Sequence, residues 1–202
     1  MAPQPVPSPP SSPPSRRGTA RRRPRAWAVL PLALACLAVT GGSSWESTHA
    51  GEPRPGHALA GGLDHNELGY RHAVKGQVLW FALPGPYNRS GQDMEITGGE
   101  IVDLPAGLKA LDYGVFDIRD TGGTPLLAAE GAPHMPDFAR LKDYSSGFTV
   151  QPGGYGHHVP MVRLLVTGKV TEDVELCRYT YRQGKLRYSQ LIGCGLELRV
   201  GK

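Results

Sequence analysis

Cysteine is scarce in this chain, with three residues in 202: Cys36, Cys177 and Cys194. None forms a C-x-x-C pair and no ligand histidine lies close to one, which argues against a thiolate metal centre. There is no Gly-x-Ser-x-Gly elbow, so the usual strand-to-helix nucleophile is missing. No stretch holds apolar residues at a 3.6-residue period over three turns, which excludes a helical bundle. Acid is absent from residues 1–25, which hold six arginines and eight of the nineteen prolines. That segment alone carries +6 against +4 for the whole chain, leaving 16 basic and 18 acidic side chains in the other 177 residues. The basic pI of about 9.0 therefore belongs to a tail. It is no sign of a nucleic-acid-binding domain, and we expect no nucleic-acid partner.

The N-terminal segment reads as an address. Residues 1–25 have too much proline and too few apolar side chains to order, so a disordered cytoplasmic Pro/Arg-rich tail is expected. Residues 26–45 (AWAVLPLALACLAVTGGSSW) contain no charge. Twenty such residues match a transmembrane helix, with Trp27 and Trp45 set to reach the two interfaces. The preceding arginines place the N-terminus inside and the rest outside. This predicts a single-pass signal anchor in the cell membrane. A signal peptide cleaved near Ala50, giving a secreted protein, is the alternative, and lipoprotein processing at Cys36 is a third. All three export the C-terminal part of the chain.

Outside the membrane, Cys177 and Cys194 are expected to form a disulfide. A hairpin turning at Gln183-Gly184 sets Cys177 opposite position 190, so the bond requires a bulge or strand break, for which Gly193 and Gly195 are suited. Residues 46–72 read as a flexible stalk rich in Gly, Pro and His. Residues 73–202 read as the folded domain. Strands are expected over 77–83, 92–104, 108–118, 147–150, 159–168, 174–182 and 186–200, the last as two pieces broken at Gly193. One helical turn fits within 132–143. Seven to eight short strands with Gly and Pro punctuation predict an all-β fold, an immunoglobulin-like antiparallel β-sandwich. Asn88-Arg89-Ser90 reads as a turn, and Asp112, Asp117 and Asp120 as solvated, turn-capping carboxylates.

The layout resembles that of a broad set of actinobacterial proteins with a Pro/Arg-rich tail, one hydrophobic segment and a small extracytoplasmic β-sandwich. The residues that carry the likeness are Asn88-x-Ser90-Gly91 leading to Met94-x-Ile96, Leu104-Pro105-Ala106-Gly107, and Tyr179-Thr180-Tyr181-Arg182 with Gly184 and Tyr188. The resemblance implies location and fold, and it assigns no functional residue.

Two constellations stand out. His157, His158 and Met161, with His134 and Met135 upstream, are soft and imidazole ligands of the kind that suit Cu(I). Val150–Tyr155 before them loosely resembles the Pro-Gly-Gly-x-His stretch of periplasmic copper chaperones. On a regular strand, however, His158 and Met161 point to opposite faces, which favours a Gly-rich loop entering a strand with Met161 in the core. Copper is the cofactor these residues would suit, and the preferred expectation is none. The second constellation is Tyr179, Tyr181 and Tyr188 with Arg182. Exposed Tyr and Arg together mark contact surfaces, and burial of both strand tyrosines would remove this one. The Ser145, Ser146, Asp143 and histidine set has the residue types of a hydrolytic triad and nothing of its sequence context. The functional expectation is a membrane-anchored, non-catalytic binding module of the bacterial cell envelope, contacting an envelope protein or a wall polymer. An envelope copper-binding protein is the alternative.

Overall fold

The computed structural model describes residues 52–61, 68–123 and 125–201. The expected tail and membrane segment lie outside the described residues. Among those described, no helix is long and apolar enough to cross a membrane. The fold is mostly β, in several sheets.

Thirteen strands run in chain order: β1 (Arg54–Pro55), β2 (Leu59–Ala60), β3 (Leu68–Ala73), β4 (Val78–Ala82), β5 (Tyr87–Asn88), β6 (Met94–Val102), β7 (Leu108–Asp117), β8 (Leu127–Ala129), β9 (Phe148–Val150), β10 (Gly154–Tyr155), β11 (His158–Val166), β12 (Val174–Gln183) and β13 (Leu186–Val200). A 3-10 turn, Phe138–Arg140, lies in the segment where one helical turn is expected.

Among the described residues these form three sheets. The first is ordered β1-β13-β12-β6-β9, with β3 also pairing with β13; the second is β7-β11-β4-β8; the third is the small β10-β5-β2. The inner faces of the two larger sheets share one core. Leu79, Phe81, Val162 and Leu164 come from one side, and Met94, Ile96, Cys177, Tyr179 and Leu198 from the other. Alternation explains the split, because residues two apart on a strand face the same way.

Two expectations are corrected. The stalk of 46–72 contains paired strands instead: β1 and β3 both run parallel to β13, and β2 pairs with β5. Leu59 is buried and bonded through both backbone groups to the Gln190 side chain, N–H to Oε1 at 3.0 Å and carbonyl from Nε2 at 2.8 Å. The open edge of β13 recruits this segment, because unpaired backbone groups seek partners. The last strand is also not broken at Gly193. It runs fifteen residues, and its irregularity is one extra residue between Gly193 and Leu196 opposite Val174–Leu176. Gly195 takes a φ of 65°, a left-handed conformation that glycine adopts without a steric penalty.

The hairpin turns one residue later than expected, at Gly184-Lys185, so Cys177 faces Ile192. Cys194 is then the neighbour along the same face. The two are bonded, with Cα atoms 5.4 Å apart, within the ordinary range for a disulfide.

Candidate functional site

The strand β4 is the key to the site. Its residues Leu79, Trp80, Phe81 and Ala82 are all buried, so both of its faces are covered. Leu79 and Phe81 enter the main core. Trp80 and Ala82 face the other way and join Phe116, Val159, Met161 and Phe138 in a second apolar cluster. This cluster lies on the outer face of the β7-β11-β4-β8 sheet. The segment after β8 folds back over it and seats the 3-10 turn there. The Phe138 ring lies 4.5 Å from Trp80 and 4.7 Å from Phe116, centre to centre. Gly114 permits this packing: a Cβ there would come within 2.6 Å of the Phe116 ring.

Between that segment and the sheet opens a cleft of about 710 Å³. Trp80, Phe116 and Phe138 form its apolar wall, and Asp112, Glu130 and Asp143 supply carboxylates. Arg163, on β11 beside Trp80, donates to both Glu130 oxygens at 2.7 and 2.8 Å. That bidentate bond holds the Glu130 carboxyl below its ordinary range and raises the guanidinium. Asp143 Oδ1 accepts from the N–H of Val115 and of Ser145, and its Oδ2 from the Ser145 hydroxyl at 2.8 Å. This carboxylate fixes the loop against the β7 edge. With Asp137 also on its rim, the cleft sets an aromatic wall against four carboxylates, a mixed surface suited to a ligand with both an apolar and a cationic part.

A second polar cluster sits where β7 ends and β11 begins. Asp117 is buried and accepts from the Arg119 backbone N–H at 2.9 Å and from its guanidinium. Those bonds hold its carboxyl far below the usual range. Asp117 caps its turn as expected, but it is not solvated. Across the ladder from it stands His158, whose ring packs on Tyr144 at 4.4 Å and Phe148 at 5.0 Å. Burial pushes its imidazole down, partly opposed by the Asp117 charge. Its Nδ1 is buried with no hydrogen-bond partner among the described residues.

The sequence-predicted residues separate. Met161 is fully buried in the outer apolar cluster, whereas His158 packs on Phe148 of the main core. The two therefore face opposite ways, as strand parity requires. His157 and His134 are exposed, and among the described residues no group of three His, Cys, Asp or Glu side chains converges. The tyrosine face is corrected outright. Tyr179 and Tyr181 are 0% and 1% exposed, so they form no contact surface. The Tyr179 hydroxyl donates to the Pro84 carbonyl at 2.6 Å, and Tyr188 is half-buried and stacked on Tyr181. Arg182 alone points outward, paired with Glu95 at 3.1 Å. The signal was present in the sequence: Cys177 shares parity with Tyr179 and Tyr181, and a disulfide in the core carries both rings inward. The cleft also had a signal, since QVLWFAL is apolar without alternation, the mark of a strand covered on both faces.

No family model, curated protein or solved structure matches the chain.

Proposed function

We propose that this is a membrane-anchored, extracytoplasmic binding module of the cell envelope, non-catalytic, built on an immunoglobulin-like sandwich. The observation that carries the reading is the aromatic-walled, carboxylate-rimmed cleft on the outer face of the β7-β11-β4-β8 sheet. The Cys177–Cys194 bond supports export, because such bonds persist in oxidising compartments. The uncharged run of 26–45 behind six arginines supports an anchor with the domain outside. The occupant of the cleft is an envelope protein or wall polymer presenting a neutral or cationic group to Asp112 and Asp143.

The test places a photo-crosslinking side chain at Asp137, on the cleft rim, in the full chain in its native envelope. The same group at exposed Lys169, away from the cleft, is the control. A discrete adduct from position 137 alone, in a domain open to externally added protease, is the expected result. Equal adducts at both positions, none at either, or a domain closed to the protease would overturn the reading.

A further inference from the structure

We infer that the β12–β13 hairpin end of the domain docks on the membrane that anchors it, through anionic lipid headgroups. The inference rests on the reading of 26–45 as a membrane anchor. Parallel pairing sets the direction from which the chain arrives. Arg54 lies opposite Tyr188 and Pro55 opposite Ser189, in parallel register. Because β13 leads away from the hairpin turn, the chain before Arg54 comes from the side of that turn. Only eight residues separate Arg54 from Trp45. Covalent geometry limits their reach to roughly 30 Å. An anchored domain is thus held by its hairpin end, close to the headgroups.

That end carries the charge such a position calls for. Lys185 and Arg187 flank exposed Leu186 at the turn. Arg54 is exposed beside Tyr188, and Arg89 is exposed next to Ser90, whose hydroxyl accepts from Gln183. Among the described residues none of these four cations has an ion-pair partner, whereas Arg182, directly across from Arg187, is paired with Glu95, and the arginines further along the same sheet with Glu100, Glu197 or Asp173. Against these four stand exposed Glu52, two residues before Arg54, and exposed Asp93, just before β6, while half-exposed Glu95 is taken up by Arg182, so the end stays net positive. Basic side chains near an anionic leaflet are drawn to it over about one Debye length, and a leucine at the tip adds apolar contact with the interface.

The experiment uses the full chain reconstituted in lipid nanodiscs, of phosphatidylcholine alone or with phosphatidylglycerol, read by amide hydrogen exchange. Residues 183–188 are expected to exchange roughly tenfold more slowly in the anionic discs, an effect of the size one to two surface cations supply. High salt and the Lys185→Glu/Arg187→Glu variant should each abolish the difference. Both side chains are exposed, so exchange in the buried strands of that variant should be unchanged. Equal exchange in the two discs, with the chain still held after an alkaline wash, would overturn the docking alone. Loss of the chain in that wash would overturn the anchor and the docking with it. Equal protection in neutral discs on adding a soluble polyglycerol phosphate would assign the surface to a wall polymer instead.

Discussion

Tyr179 and His158 show how much a single residue's meaning depends on its neighbours. Both have side chains that serve at binding sites, yet Tyr179 is spent on the interior and His158 is half-buried against Tyr144 and Phe148. The Tyr179 hydroxyl meets the Pro84 carbonyl 95 residues away in sequence, and burial pushes its proton affinity up. Tyr179→Phe leaves that carbonyl buried without a donor and should destabilise the fold by about 1–3 kcal/mol, read by urea denaturation. An exposed contact tyrosine would leave stability unchanged on the same substitution. His158 makes a pH prediction. Its folded pKa lies below the unfolded value near 6.5, so the unfolded chain binds the proton more readily. Stability is then complete above that value and declines as the pH falls through it toward the folded pKa. Thermal unfolding from pH 8 to 5 should show this slope, and His158→Gln should flatten it. A slope unchanged in the variant would assign it to another group.

At the scale of elements, β13 organises one half of the molecule. It takes β12 on one edge and both β1 and β3 on the other, and it holds Cys194 one bulge away from the simple register. Gly195→Ala places a Cβ at a φ of 65° and should destabilise by about 1–2 kcal/mol. Removing the bond altogether with Cys177→Ala/Cys194→Ala should lower stability by about 3 kcal/mol for the 17-residue separation, read from the shift in the denaturation midpoint. An unchanged midpoint would mean the bond constrains little that the paired strands do not already hold. The positions of the longer strands and the need for a bulge were legible, because alternation and glycine are local signals. The strands within 52–73 were not. Their sequence has no alternation of its own: β1 and β3 are strands only because the edge of β13 accepts them, and β2 because β5 does.

At the scale of the whole molecule, the same non-local pairing changes how an anchored domain is presented. A flexible stalk leaves orientation free. With a segment zipped to β13, eight residues separate Arg54 from the expected anchor, and the proposed docking would turn one end of the domain to the bilayer, which is what the nanodisc experiment tests. The cleft belongs to this scale too. Trp80, Phe116, Phe138 and Arg163 come from three strands and a 3-10 turn, and only the closing of the 130–143 segment over the sheet brings them together.

By itself the sequence determined the β class, the positions of the longer strands, the disulfide partners and the opposition of His158 and Met161. All four follow from period-two alternation, composition and cysteine count, which need no knowledge of what lies across the sheet. The tertiary structure alone decided that the disulfide lies inside and so carries Tyr179 and Tyr181 into the core, that Asp117 is buried against Arg119, and that the 130–143 segment is what covers the outer face of Trp80 and forms a cleft there. Those depend on contacts between residues tens of positions apart. Burial on a given face is set by the partner sheet or loop that covers it, and no local pattern records that partner.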